Sequence, residues 1–288
     1  MQNLKEAPIG VFDSGVGGLT VAREIMRQIP QERIVYFGDT ARVPYGSKST
    51  DTLIRYTRQI IRFLKTRGVK AIVVACNTAS AVALEAVRDE LDIPIIGVVR
   101  PGAKVAVQAT KNKKIGIIGT ETTVNSGMYV KLIQELLPDA QVIGKACPLF
   151  VPLVEEGWTK DPVTEEVARR YLADLQNSDI DSLILGCTHY PLLRHMVGEI
   201  MGENVTLVNP AYETALELKA LLEREGIAND GEIKTLIILT NFLSVTLQTN
   251  LKLLPIPFCL VMLQALKKLI LRNTKDDKRY YPDNFRAS

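Results

Sequence analysis

Short apolar runs alternate along the chain with longer segments whose apolar residues recur every three or four positions. The runs Ile9–Phe12, Ile34–Phe37, Ala71–Ala75 and Ile95–Val98 read as strands, and Ile115–Ile118, Gln141–Ile143, Ser182–Leu185 and Val205–Val208 continue the series. Their length and near-continuous apolarity are those of strands buried on both faces. Leu19–Ile29, Thr52–Lys65, Ser80–Leu91, Glu165–Gln176 and Tyr212–Glu225 carry the helical period. Strands and helices in alternation predict an α/β protein with mainly parallel sheets covered by helices on both faces.

The series divides at two places. Val99-Arg100-Pro101-Gly102 reads as a crossover, and Asn209-Pro210 as a return. This predicts two pseudo-symmetric three-layer α/β domains with an interdomain active-site cleft. The first comprises residues 1–99 plus 210–288, and the second, 100–209, is inserted in it. A weak internal echo supports the symmetry. Val73-Val74-Ala75-Cys76-Asn77-Thr78 and Leu183-Ile184-Leu185-Gly186-Cys187-Thr188 are each an apolar strand ending in a cysteine, with a threonine close behind. Open α/β sheets bind ligands beyond the carboxyl ends of their strands, so each half would present one cysteine to the cleft.

Composition narrows the function. Of 288 residues 47% are hydrophobic and 23% charged, which are globular proportions. The formal net charge is +3. Ile233–Ser288 holds nine Lys/Arg against three Asp/Glu, a surplus of six, so the rest of the chain carries −3. The basic character therefore belongs to the tail, and no basic stripe on the body suggests nucleic acid. Four cysteines without close spacing suggest a reducing compartment. The N-terminal segment has no apolar signal core, and no run of 18 apolar residues offers a membrane span. The expectation is a cytoplasmic protein with no membrane partner.

Two strand-end cysteines facing one cleft suit a particular chemistry. Inverting a stereocentre by proton transfer needs a base on one face and an acid on the other, with the roles exchanged in reverse. Two residues of one type at pseudo-symmetric positions meet that need. A free thiol titrates near 8.5, and a helix start or nearby cation lowers this toward the operating pH, where acid–base catalysis works best. Both cysteines precede expected helices. The competing reading is that each is a small apolar filler. Cys147 and Cys259 lack the echo and read as structural.

Asp13-Ser14-Gly15-Val16-Gly17-Gly18 after the first strand reads either as an anion-binding loop or as a tight strand–helix turn. It has neither the dinucleotide fingerprint nor a Walker lysine. Asn77-Thr78 and Thr188-His189 can hold the two carboxylates of a small diacid, or can simply cap helices. His189 lies two residues after Cys187, where it can tune or share its proton. One Cys-x-His pair is too small for a zinc site, and no metal is expected. His195 reads as a surface or packing residue. Asp39–Gly46 reads as a loop in which Tyr45 and Gly46 either close over a ligand or form a plain surface turn.

At these residues the chain resembles the bacterial glutamate racemases of the aspartate/glutamate racemase superfamily. The matching segments are Asp13–Gly18, Pro44-Tyr45-Gly46, Ala75–Ala79, Gly119-Thr120, Ala146–Leu149, Gly186–Pro191 and Glu213-Thr214-Ala215. They run in order from about Ile9 to about Gly231. The resemblance implies that Cys76 takes the α-proton from D-glutamate and Cys187 from L-glutamate. It also implies that Asp13 and His189 are their polar supporters, and that Glu155 matches an acidic position of the family's site. It further implies substrate contacts at Asp13, Ser14, Tyr45, Gly46, Asn77, Thr78, Thr120, Thr122, Thr123, Thr188 and His189. It implies no cofactor, D-glutamate for peptidoglycan synthesis, and a homodimer. Two other functions share features of this sequence: a racemase or isomerase acting on aspartate, a hydantoin or maleate, and a binding protein that keeps the cleft without the chemistry.

The sequence departs from the family after Gly231, where a further strand and helix are expected. Ile233–Ser288 is instead apolar and irregular, then basic and polar. It reads as a frameshifted or otherwise altered C-terminus, with a divergent packing tail and a membrane-seeking tail as alternatives.

Overall fold

The computed structural model describes residues 4–231 and, as backbone, 237–240. In the first half, β1 (Ile9–Asp13), α1 (Leu19–Gln28), β2 (Ile34–Gly38), α2 (Thr50–Thr66) and β3 (Ala71–Val74) lead into α3 (Asn77–Val82), α4 (Leu84–Arg88) and β4 (Ile95–Gly97). After these come α5 (Val99–Ala109), β5 (Lys114–Gly119), α6 (Glu121–Asn125), α7 (Met128–Leu136), β6 (Gln141–Ala146) and α8 (Phe150–Glu155). The series closes with α9 (Pro162–Gln176), β7 (Ser182–Gly186), a 3-10 turn (Tyr190–Leu193), α10 (Arg194–Met201), β8 (Thr206–Val208), α11 (Pro210–Arg224) and β9 (Ile237–Thr240).

The strands form two sheets, ordered β4-β3-β1-β2-β9 and β6-β5-β7-β8. Every pairing is parallel. Numbered within its own half, each sheet runs fourth, third, first, second strand. The first sheet adds β9 beyond its second strand. The weak sequence echo is thus a topological one: Cys76 and Cys187 each follow the third strand of their half.

The strands alternate their side chains between two apolar layers, as period-2 geometry requires. In the first sheet, Val11, Tyr36 and Val73 join the cluster built by α1 and α11. Phe12, Phe37 and Val74 turn to the cluster built by α2 and α4. In the second sheet, Leu183 and Leu185 face the α9–α10 side, while Ile117 and Ile184 face α5 and α7. Burial on both faces explains why the inner strands read as continuous apolar runs, whereas the edge strand β6 is largely exposed. On α2 the buried positions Leu53, Thr57, Ile60, Ile61 and Leu64 form one stripe, and Ser49 caps its start by accepting from the Thr52 amide at 3.4 Å.

Three expectations are corrected. Val99-Arg100-Pro101-Gly102, read as a crossover, is the first turn of α5. Proline is tolerated there because first-turn amides have no intrahelical acceptor. Gly102 lets α5 approach α11, since a Cβ there would lie 2.9 Å from Cγ of Pro210. The single helix expected over Ser80–Leu91 starts at Asn77 and breaks at Ala83 into α3 and α4. The segment after Gly231, expected to lack a family-like strand, supplies β9. It pairs with β2 in parallel, from Ile34↔Ile237 to Phe37↔Thr240. Residues 241–288, with Cys259 and the basic end of the tail, lie outside the described residues.

Candidate active site

The carboxyl ends of β1, β3, β5 and β7 converge on one buried polar cluster. Asp13 ends β1, and Ser14 follows it. Cys76 precedes α3, which opens on Asn77 and Thr78. Thr120 is the N-cap of α6, accepting from the Thr123 amide at 3.2 Å. Cys187, Thr188 and His189 link β7 to its 3-10 turn, so Cys187 does not precede an α-helix as expected. Cys76 is 5% exposed and Cys187 7%, with Asp13, Asn77, Thr78, Thr123, Thr188 and His189 also buried.

The halves meet through polar contacts. Thr78 Oγ1 lies 2.9 Å from Thr120 Oγ1 and 3.2 Å from Thr123 Oγ1, and those two lie 2.9 Å apart. The Tyr129 hydroxyl donates to Asn77 Oδ1 at 2.7 Å. The Thr122 hydroxyl and amide both donate to the Gly46 carbonyl, at 2.8 and 3.2 Å. Gly17 comes so near the second half that a Cβ there would stand 2.4 Å from Thr188 Oγ1 and 2.7 Å from His189 Nδ1.

The glycine-rich loop after β1 holds the chain's own carboxylate. Gly15 and Gly18 amides donate to Asp13 Oδ2 at 3.1 and 2.9 Å. These two amides of the turn are filled from within the loop. Asp13 Oδ1 is buried without a hydrogen-bond partner. Burial raises the Asp13 pKa, against the opposing effects of His189 and the loop amides.

The two thiols have unlike surroundings. Burial pushes the Cys76 thiol up to about 12, and the Asp13 charge adds to this; the Ala79 amide and the Ser14 hydroxyl pull it down by less. The expected lowering by a helix start is therefore outweighed. Beside Cys187, the sulfur lies 3.8 Å from His189 Nδ1, and His189 Nε2 lies 3.1 Å from Glu155 Oε1. Burial alone would lower the His189 pKa, but its contacts with Cys187 and Glu155 outweigh that and hold it up at about 10.

An NMR titration of the His189 ring is expected to show a midpoint well above 6.5, the ordinary histidine value. Glu155→Gln should lower it. Because the folded pKa is the higher one, the stability contributed by this proton is full below about 6.5 and lost as pH rises through about 10. The stability gap between the wild type and Glu155→Gln should therefore narrow across that window. A midpoint unchanged by the substitution would remove Glu155 as the partner.

The candidate catalytic and substrate-binding residues all lie in or beside this cluster, whereas His195 and the Cys147 thiol lie apart from it and Cys259 falls outside the described residues. His195 is exposed and paired with Glu199, and the Cys147 carbonyl accepts from the Tyr190 hydroxyl at 2.8 Å. Sequence reading missed Thr20, whose hydroxyl donates to the Gly17 carbonyl at 2.9 Å. It also missed Tyr36, which donates to the Gly15 carbonyl at 2.8 Å, and Tyr129. Each sits in an apolar pattern that reads as core, and only a three-dimensional neighbour shows where its hydroxyl points. Among the described residues, no group of three or more His, Cys, Asp or Glu can hold a metal ion. No helix among them is long and apolar enough to cross a membrane.

Comparison with known proteins gives the family. The Asp/Glu/Hydantoin racemase family profile matches residues 9–217. The glutamate racemase of Geobacter metallireducens is 55% identical over 207 residues, covering 72% of this chain and 77% of its own. A glutamate racemase isoform of Bacillus anthracis superposes with a TM-score of 0.79 at 45% identity, covering 82% of this chain and 88% of that one. The Francisella tularensis glutamate racemase, solved with D-glutamate, gives 0.80 at 35% identity, covering 91% and 94%. Fold and relatives define an amino-acid racemase, an isomerase. The chain belongs to the Asp/Glu/Hydantoin racemase family. Within that family it groups with the bacterial glutamate racemases.

Proposed function

We propose that this chain interconverts L- and D-glutamate by two-base proton transfer between Cys76 and Cys187. The observation that carries the reading is the pair of buried thiols on equivalent strand ends, each with its own acid–base partner. In one direction the Cys76 thiolate takes the α-proton from D-glutamate while the Cys187 thiol gives its proton to the opposite face. In the other direction the roles exchange, so each turnover leaves the complementary protonation state. Asp13 and the His189–Glu155 pair are the groups through which these states reset.

Forming a thiolate beside Asp13 is costly while Cys76 titrates near 12. The substrate's ammonium brings a compensating positive charge. The α-proton is only weakly acidic, so fixed donors in a sheltered site must hold the charge that develops on the substrate. In this scheme Ser14, Asn77, Thr78 and Thr188 do so, and Tyr45, Gly46, Thr120, Thr122 and Thr123 bind the other end of the substrate. No cofactor takes part in this scheme. In this scheme the two halves, divided near Val99 and Asn209, move relative to each other, and their closure excludes water. The D-glutamate formed serves peptidoglycan synthesis in the cytoplasm, and the working unit is a homodimer.

Incubation with L-glutamate in D₂O tests the reading. Loss of optical activity is expected to accompany deuterium at the α-carbon, with L-aspartate unchanged. Folded protein that exchanges neither substrate would refute it, and preferential exchange of aspartate would reassign the substrate.

A further inference from the structure

The loop between β2 and α2 carries Tyr45 and Gly46 to the cleft, and its own anchor lies outside the cluster described above. Asp39 starts the loop, and its amide donates to the Asp13 carbonyl at 3.0 Å. The Asp39 side chain is 4% exposed. It accepts from the Tyr45 hydroxyl and from Arg42 Nε, at 2.9 Å to Oδ1 and 2.7 Å to Oδ2. Arg42 is fixed on two further sides. Its Nη1 donates to Gln59 Oε1 at 2.5 Å, and its guanidinium lies 4.2 Å above the Tyr56 ring. Tyr56 and Gln59 both belong to α2, so the loop is braced against a rigid helix.

A nearly buried carboxylate that accepts from a phenol is stable only with a counter-charge. Arg42 supplies that charge, and its planar fork allows charge pairing, donation to an amide and stacking on a ring at once. At the far end of the same short loop, the Gly46 carbonyl receives the Thr122 amide and hydroxyl. The bracing therefore runs from α2 through Arg42, Asp39 and Tyr45 to a contact between the halves.

We propose that Arg42 is a positioning residue: by holding Asp39, and through it Tyr45, it keeps the Tyr45-Gly46 backbone locked onto Thr122 of the second half. The consequence for substrate rests on the glutamate reading above; the lock itself does not. Arg42 touches no reacting atom. It sets the fraction of molecules whose loop is already placed for binding, so its loss acts on KM more than on kcat.

The test uses the full chain and three variants, Arg42→Ala, Arg42→Lys and Tyr45→Phe. Amide hydrogen exchange is followed at Thr122, with Val73 and Val74 of β3 as internal references. Kinetics with L-glutamate run in parallel. In Arg42→Ala, Thr122 exchange should accelerate about tenfold while β3 is unchanged, KM should rise about tenfold, and kcat should stay within about threefold. Arg42→Lys keeps the charge and should recover part of both changes. Tyr45→Phe removes only the hydroxyl that meets Asp39 and should also accelerate Thr122 exchange.

Unchanged Thr122 exchange in Arg42→Ala overturns the proposal, as does a normal KM when Thr122 exchange is fast. If Arg42→Ala loosens β3 as well, Tyr45→Phe and Arg42→Lys decide: slow Thr122 exchange in both refutes the lock. A wild type inactive on glutamate would refute the substrate reading, while Thr122 exchange would still report on the lock.

Discussion

Replacing Cys76 with serine is expected to stop α-proton exchange from one face only. A hydroxyl holds its proton far more tightly than a thiol, so it is a poor base toward D-glutamate. Removing one proton-transfer group costs on the order of 10³-fold in turnover, while binding, which relies on other side chains, should change little. Because the equilibrium between enantiomers is fixed, kcat/KM for racemisation must fall equally in both directions. The asymmetry shows in isotope exchange. With Cys187 intact, Cys76→Ser should wash deuterium into L-glutamate without inverting it, and should leave D-glutamate unexchanged. Cys187→Ser should give the mirror result. Equal exchange of both enantiomers in either variant would sink the assignment of one thiol to each face.

The largest expected effect on stability lies far from the thiols. Lys70, buried between α2 and β3, donates from Nζ to the Lys5 carbonyl at 2.6 Å and to the Ile227 carbonyl at 2.8 Å. It also pairs with Glu32 Oε2 at 2.6 Å, both side chains being buried. Glu32 in turn accepts from the Asn229 amide at 2.8 Å. One ammonium thus ties the start of the chain, the approach to β2 and the segment after α11. Lys70→Ala leaves a buried carboxylate without its cation, a change that costs about 3–5 kcal/mol. Urea unfolding should show that loss in the midpoint. Lys70→Met combined with Glu32→Gln removes both charges and should recover much of it. A loss below about 1 kcal/mol in Lys70→Ala would place the pair among those that contribute little.

The inner strands, such as β1, β3, β5 and β7, were legible because both their faces are covered, which writes burial into sequence as near-continuous apolar runs. Helices with a full amphipathic stripe, such as α1, α2, α9 and α11, were legible for the same reason. Those that escaped are short or carry misleading residues. α6 and α8 span too few residues to complete the period, and α5 opens on Arg100-Pro101-Gly102, residues that elsewhere end helices. β9 was hidden by the unfamiliar composition around it. The two cysteines and the polar residues beside them stood out through repetition and resemblance. Their electrostatics did not, because the Cys76 thiol is governed by depth and by Asp13, whose carboxylate is held in turn by the loop after β1. Nothing in the linear order of Asp13-Ser14-Gly15 says that the acceptor for those amides is the first residue of the motif.

The three threonine hydroxyls that link α3 to α6 bear on selectivity. Thr78, Thr120 and Thr123 each lie within hydrogen-bond reach of the other two, so a ligand arriving between the halves must replace interactions already made. A neutral amide can do no better than match them. A carboxylate can exceed them, because charge-assisted hydrogen bonds are about twice as strong as neutral ones. In the scheme proposed above, the ring would act as a threshold: it would admit an anionic group, whereas an uncharged analogue such as glutamine, whose side-chain amide can only match the interactions already made, would not displace them.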